Sequence, residues 1–127
     1  MYSNLVLSGG ALKAVSLLGA IKYLEELDYI KHFKQFIGTS AGAIICFLII
    51  IGYTSNEIIE ILINEIDILT NLNFDNIPNF LEDYGIDDCS KNKTILKKYL
   101  YNKIQLNEIT FIEFTKKFGV NLVITGA

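Results

Sequence analysis

A pentapeptide at residues 38–42, Gly-Thr-Ser-Ala-Gly, lies between two apolar stretches and constrains the fold more than any other feature. Residues 33–37, before it, are apolar and aromatic enough to predict a short buried strand. Residues 43–51, after it, are almost all apolar and end at Gly52, which is typical of a helix in a protein core. A G-x-S-x-G sequence at a sharp strand-to-helix turn forms a nucleophile elbow. The sequence therefore predicts that Ser40 is presented at the N-terminus of a helix.

The residues around the serine suit such an elbow. The turn strains the backbone at the serine, so small neighbours are needed, and the pentapeptide supplies Gly38, Thr39, Ala41 and Gly42. Free N–H groups and the dipole at a helix N-terminus favour developing negative charge. The same pentapeptide also occurs by chance in unrelated proteins, so its context has to carry the assignment.

A second turn containing glycine lies about thirty residues before the serine. Residues 4–8 are predicted to form a strand that ends at Gly9 and Gly10. Residues 12–27 then show the apolar spacing of an amphipathic helix, with one side made by Leu17, Leu18, Ile21, Leu24 and Leu27. Paired glycines after a strand let backbone N–H groups turn outward, as an oxyanion hole requires.

The two segments together resemble the patatin-like phospholipase family. That family pairs a G-G-G-x-[RK]-G oxyanion loop with a G-x-S-x-G elbow, and the run L-V-L-S-G-G here is similar to its approach to the loop. Lys13 keeps the basic position, whereas Ala11 and Ala14 replace the third and last glycines. Alanine still offers an N–H donor, but its Cβ disfavours a positive φ. Gly19 and Ala20 match a Gly-Ala pair in the first helix of the family.

The resemblance implies an acyl hydrolase with a Ser–Asp dyad, no metal and no other cofactor. The family's Asp lies in a D-G-[GA] motif, and this sequence contains no Asp-Gly pair. The resemblance thus covers residues 1–127 as a partial patatin-like domain, about the front half of the family's domain. It assigns the nucleophile to Ser40 and the oxyanion loop to Gly9, Gly10, Ala11 and Lys13.

The single histidine does not replace the missing aspartate. His32 precedes the second predicted strand, whereas Ser40 follows the end of that strand. At about 3.3 Å per residue the two lie roughly 20 Å apart, at opposite ends of the sheet. We therefore expect His32 to be a surface residue, and we expect Ser8 and Ser16 to be structural.

The order of the predicted elements favours an α/β fold with a parallel sheet, of the three-layer, patatin-like kind related to α/β-hydrolases. Strand, crossover helix and strand form a right-handed unit, and both glycine turns then open at the carboxyl ends of the strands. A third strand is predicted at residues 120–125. Because three strands would leave apolar edges unpaired, we expect a domain incomplete at the C-terminus, or one completed by a second chain.

Other elements are predicted from local signals. Capping boxes begin helices at Thr54 and Thr110, and the second of these helices should span residues 111–118 and end at Gly119. A further amphipathic helix is predicted at about residues 93–103. Residues 71–88 are polar and irregular, with apolar side chains that indicate either a surface connection or a lid beside the serine.

Composition narrows the classes of function. The net charge is -3 and the lysines are dispersed among carboxylates, so nucleic-acid binding is not expected. Cys46 and Cys89 lack the spacing of a metal or redox motif, and Cys46 is expected to be a small buried apolar residue. No signal sequence is evident, so we expect a cytoplasmic protein, not secreted, with peripheral contact at membranes. The apolar stretch from residue 41 to 53 is too short to span a bilayer.

Three functions remain open from the sequence. The first is a lipid acyl hydrolase that acts on phospholipid or acylglycerol esters through an acyl-enzyme on Ser40. The second is a catalytically inactive lipid-binding or regulatory remnant that keeps the elbow without its base. The third, a nucleotide-binding unit, lacks both G-x-G-x-x-G and G-x-x-x-x-G-K-[ST].

Overall fold

The computed structural model of the protein describes residues 2–65 and 90–126, without the side chains of residues 11 and 12. Three parallel strands form a sheet in the order β1 (Asn4–Leu7), β2 (Gln35–Thr39) and β3 (Asn121–Thr125). The register places Gly38 between Leu7 and Ile124. The predicted α/β fold with a parallel sheet is confirmed.

Helices connect the strands. Short 3-10 turns occur at Ala11–Ala14, before the first helix, and at Ile30–His32, before β2. The described α-helices are α1 (Val15–Glu26), α2 (Ala41–Ile51), α3 (Ser55–Asn64), α4 (Ser90–Ile104) and α5 (Phe111–Phe118).

Most of the predicted element boundaries differ from the structure by one to three residues. Strand β2 begins at Gln35 because Phe33 belongs to an aromatic cluster at the strand entrance, where its ring meets those of Tyr29 and Phe36 edge-on. Leu27 was assigned wrongly to the buried side of the first helix. It is the C-cap of α1 and is 56% exposed, because the chain leaves the helix there and turns away from the core.

Local capping chemistry explains the starts of α3 and α5. The side chains of Thr54 and Thr110 each accept a hydrogen bond from the backbone N–H three residues later. The residues there are Glu57 and Glu113, whose carboxylates accept a hydrogen bond from the threonine N–H in return. Such reciprocal bonding satisfies N–H groups that a helix start otherwise leaves unpaired. Helix α5 ends at Gly119 in the left-handed region, as predicted.

The described helices cover one face of the sheet. A Cβ on Gly38 would point directly into α2, so this helix packs on the face of the sheet that carries Gly38. Leu7 and Phe36 are buried on that side, among a core whose fully buried side chains include Leu18, Ile21, Ile45, Cys46, Leu48 and Ile58. The register aligns Val6, Ile37 and Val123 on the opposite face, where Val6 is 67% exposed.

A buried carboxylate joins α4 to the end of α3. Glu65 is 6% exposed and accepts hydrogen bonds from Lys98 Nζ at 2.7 Å and Tyr99 Oη at 2.8 Å. These donors, Lys98 foremost, hold the pKa of the Glu65 carboxyl below its usual value. The ionised carboxylate therefore contributes to the stability of this helix pair.

Cys46 is fully buried in α2, as expected, and burial raises the pKa of its thiol to about 12. The expectations for residues 71–88 and for Cys89 lie outside the described residues. Within the described part of the chain, every helix is too short or too polar to cross a bilayer.

Candidate active site

Ser40 lies at the junction of β2 and α2 with a strained backbone. Its φ of 51° and ψ of -123° match the first central position of a type II′ turn, which glycine normally occupies. The Ser40 carbonyl already accepts the first hydrogen bond of α2, from the Ala43 N–H at 2.9 Å. Ser40 is exposed, and its side chain makes no capping hydrogen bond to the helix.

The two other non-glycine residues with positive φ in the described chain have an ordinary reason for it. Asp28 and Gln105 also have positive φ, but each follows the end of a helix, where a left-handed residue closes the last turn. Ser40 instead precedes a helix. Strain of this kind costs about 1–3 kcal/mol and persists only where the surrounding structure imposes it.

The two glycines of the pentapeptide allow the close packing that imposes this strain. A Cβ on Gly38 would lie 2.4 Å from Ala43 Cα, and one on Gly42 would lie 2.4 Å from the Leu7 carbonyl oxygen. Both clashes involve backbone atoms, which cannot rotate away. Only glycine at these positions lets β1, β2 and the start of α2 approach as they do.

The glycine turn after β1 lies against the serine. A Cβ on Gly9 would be 3.2 Å from Ser40 Cβ, so the expected proximity of the two turns is confirmed. Ala11 begins a 3-10 turn, whose φ is negative in any residue, so alanine fits this backbone without strain. The Lys13 N–H donates to the Gly10 carbonyl oxygen at 2.9 Å, so this backbone donor is used within the turn. Lys13 itself is exposed.

The start of α2 and the turn after β1 meet at Ser40. The first turn of α2 directs N–H groups toward its N-terminus, next to Ser40, and Gly9 of the other turn lies against the serine. N–H groups at a helix N-terminus favour negative charge beside them.

A general base is not part of the arrangement that the structure describes. Among residues 2–65 and 90–126, the Ser40 hydroxyl is hydrogen-bonded to neither a carboxylate nor an imidazole. His32 is exposed in the 3-10 turn before β2, at the amino end of the strand, as expected. The same part of the chain holds no cluster of three His, Cys, Asp or Glu side chains suited to a metal ion.

Sequence reasoning missed one contact at this edge of the sheet. The hydroxyls of Thr39 and Thr125 are hydrogen-bonded to each other, which ties the ends of β2 and β3 together beside Ser40. The two residues are 86 positions apart, so no local pattern could have paired them.

The sequence profile of the patatin-like phospholipase family matches residues 5–123, which is nearly the whole chain. The chain belongs to this family. The resemblance seen at the two glycine turns is therefore confirmed, and the patatin-like fold with it.

Relatives of this patatin-like chain include a probable lipid hydrolase, 463L, of Invertebrate iridescent virus 6, which is 38% identical over 127 residues. That match covers 97% of the chain and 42% of the relative. The uncharacterized protein YqhO of Bacillus subtilis is 51% identical over 67 residues, covering 53% of the chain and 22% of that protein. The chain thus spans less than half the length of these curated relatives.

The fold also matches a solved structure. Full-length ExoU, crystallised with SpcU from the type III secretion system of Pseudomonas aeruginosa, superposes with a TM-score of 0.56 at 24% identity. The match covers 80% of the patatin-like chain and 22% of ExoU. It supports the fold assignment alone.

Proposed function

We propose that this patatin-like chain carries the nucleophile and oxyanion site of a serine lipid acyl hydrolase. The observation that carries the proposal is the strained, exposed Ser40, held at the N-terminus of α2 against the turn containing Gly9. Residues with a strained backbone of this kind cluster at functional sites. Family membership supplies the substrate class, a lipid ester.

In the proposed reaction, Ser40 Oγ attacks the ester carbonyl carbon and its proton passes to a base. N–H groups of residues 9–11 and of the first turn of α2 stabilise the oxyanion of the tetrahedral intermediate. The intermediate collapses, the C–O bond to the alcohol breaks, and the base returns the proton to the leaving alkoxide. Water then attacks the acyl-enzyme on Ser40, which releases a carboxylic acid and restores the hydroxyl.

The base in this proposal is an aspartate outside these 127 residues, in further polypeptide or in a second chain. A serine hydroxyl is a weak nucleophile without such a base. The second candidate, a lipid-binding chain without catalysis, is favoured by one observation: the described residues bring no carboxylate or imidazole to Ser40. Transfer of the acyl group to an alcohol would share the same acyl-enzyme.

Labelling with a fluorophosphonate probe, which reacts with activated serines, tests the proposal. We expect the 127-residue chain to label slowly, and the rate to rise on addition of a polypeptide that supplies the base. Ser40→Ala should abolish labelling in both cases. Ser16→Ala is the matched control, because Ser16 is an exposed serine whose hydroxyl donates to the Lys13 carbonyl oxygen at 2.7 Å, near the same loop.

Two results would decide against hydrolysis. Labelling that survives Ser40→Ala would move the nucleophile elsewhere. A folded chain, checked by circular dichroism, that stays unlabelled alone and in the context of a longer patatin-like polypeptide would favour the lipid-binding alternative.

A further inference from the structure

An apolar groove lies on the helix-covered side of the sheet, along β3. Its volume is about 720 Å³, within the range of small-molecule sites. Strand β3 forms the floor, and α2, α4 and α5 form the walls. The apolar lining that matters here consists of Phe47, Leu96, Leu100, Phe114, Leu122 and Ile124.

The groove has buried walls and a partly exposed floor. Phe114 and Leu100 are buried, and the Phe114 ring stacks on Phe47 with centroids 5.7 Å apart. Leu122 and Leu96 are half-buried, and Ile124 is 51% exposed. Burial of this last side chain by a ligand would therefore be a net gain of apolar contact.

The floor of the groove reaches Ile124, near the carboxyl end of β3. Helix α5 and β3 are joined by only two residues and pack together, so the strand runs back along the helix toward the carboxyl edge. Ile124 pairs with Gly38, two residues before the serine. With strands about 4.8 Å apart and about 3.3 Å per residue, the Ile124 and Ser40 backbones are roughly 8 Å apart.

The rim of the groove is polar. Lys97 pairs with Glu108 across the gap between α4 and the loop before α5, and both side chains are well exposed. The lysine holds the pKa of the Glu108 carboxyl below its usual value, although the pair is open to solvent. An apolar groove with a charged, exposed rim suits a ligand that has a long hydrocarbon part and a polar end.

We infer that this groove holds the acyl chain of the lipid ester, with the carbonyl placed at Ser40. The inference rests on the proposed function, because it takes the ester of that reaction as the ligand. It adds the subsite and the residues that select the acyl chain. Each methylene that leaves water contributes about 0.8 kcal/mol, so apolar contact along the groove favours long chains over short ones.

The test separates binding from catalysis. A fluorescent C18 polyene fatty acid is titrated into the Ser40→Ala chain, in which no acyl-enzyme can form. We expect saturable binding. Ile124→Glu puts a carboxylate on the groove floor and should weaken binding at least tenfold, since the charge opposes both the hydrocarbon and the fatty-acid carboxylate.

Val123→Glu is the matched control. Val123 is the neighbouring residue on β3, also exposed, with its side chain on the opposite face of the sheet. The same mutation there should leave probe binding within about twofold, and circular dichroism should show that both variants fold. A probe that binds to wild type but is unaffected by Ile124→Glu would overturn the assignment.

Two other results would also overturn it. Equal weakening by both mutations would point to a general effect on β3. Absence of saturable binding, together with self-association that Ile124→Glu abolishes, would make the groove a contact between copies of the chain.

Failure of serine labelling with intact probe binding would remove the hydrolase proposal and leave the groove as a fatty-acyl site.

Discussion

Replacement of Gly42 by alanine should destabilise the protein, although the same replacement usually stabilises a helix. The new Cβ would lie 2.4 Å from the Leu7 carbonyl oxygen and 2.6 Å from that of Ser8. Ordinary contact needs at least 3.4 Å, so α2 and the end of β1 must separate by about 1 Å. Overpacking of this kind costs about 1–3 kcal/mol, and at the first turn of a helix little propensity offsets it.

Gly19→Ala provides the opposite case in the same chain. Gly19 is exposed within α1, and a Cβ there would meet no heavy atom within 4 Å. Alanine should then stabilise the protein by about 0.5–1 kcal/mol through helix propensity alone. The two variants carry the same chemical change, in helices of similar length, with opposite expected signs.

Urea unfolding followed by circular dichroism measures both effects. We expect the free energy of unfolding to fall by about 2 kcal/mol in Gly42→Ala and to rise by up to about 1 kcal/mol in Gly19→Ala. For a chain of this size each kcal/mol corresponds to about 3–5 °C in Tm. The reasoning about close packing is refuted if Gly42→Ala is as stable as wild type, or if both variants shift in the same direction.

Three further outcomes follow from the site and its surroundings. Ser40→Gly should raise the free energy of unfolding by about 1–2 kcal/mol, measured in urea, because glycine relieves the positive φ; Ser40→Ala should give no such gain. Glu65 has a lowered pKa in the folded state, so its contribution is present above its unfolded pKa and is lost as pH falls through the folded value. Wild type should therefore lose stability more steeply than Glu65→Gln between pH 7 and pH 3, and parallel curves would show that the bonds from Lys98 and Tyr99 contribute nothing. Ile112 is 70% exposed at the start of α5. We expect Ile112→Ser to lower several-fold the fraction of protein that sediments with phospholipid vesicles, because membrane-surface binding scales with buried apolar area. Ile63→Ser, at a comparably exposed position on α3, should leave that fraction unchanged.

Much of the fold could be predicted because its signals are local. The start of α5 is specified by Thr110 and Glu113, and its end by Gly119, all within ten residues. The elbow can also be predicted from local sequence, because Gly38 and Gly42 flank the serine between an apolar strand and an apolar helix. Signals of this kind act through neighbouring backbone groups and need no tertiary context.

The features that escaped prediction depend on contacts between distant segments. Whether Phe33 belongs to β2 or to the cluster before it depends on Tyr29 and Phe36 together, and apolar character alone does not distinguish the two. Leu27 follows the helical spacing, but the chain turns before it can be buried. The groove combines Phe47 with side chains about forty-five or more residues later, so it exists only once α2, α4, α5 and β3 have packed.

The close backbone approaches around the serine involve residues between Leu7 and Ala43. Gly9 approaches Ser40, Gly38 approaches Ala43, and Gly42 approaches the carbonyl of Leu7, so one strand-helix-strand unit sets the geometry of the nucleophile. Closing a loop of this length is entropically modest, and the unit can form early in folding without waiting for β3. Most side chains that line the groove come from α4, α5 and β3, which take no part in these close approaches, so mutations there can reshape the groove without moving the backbone of Ser40.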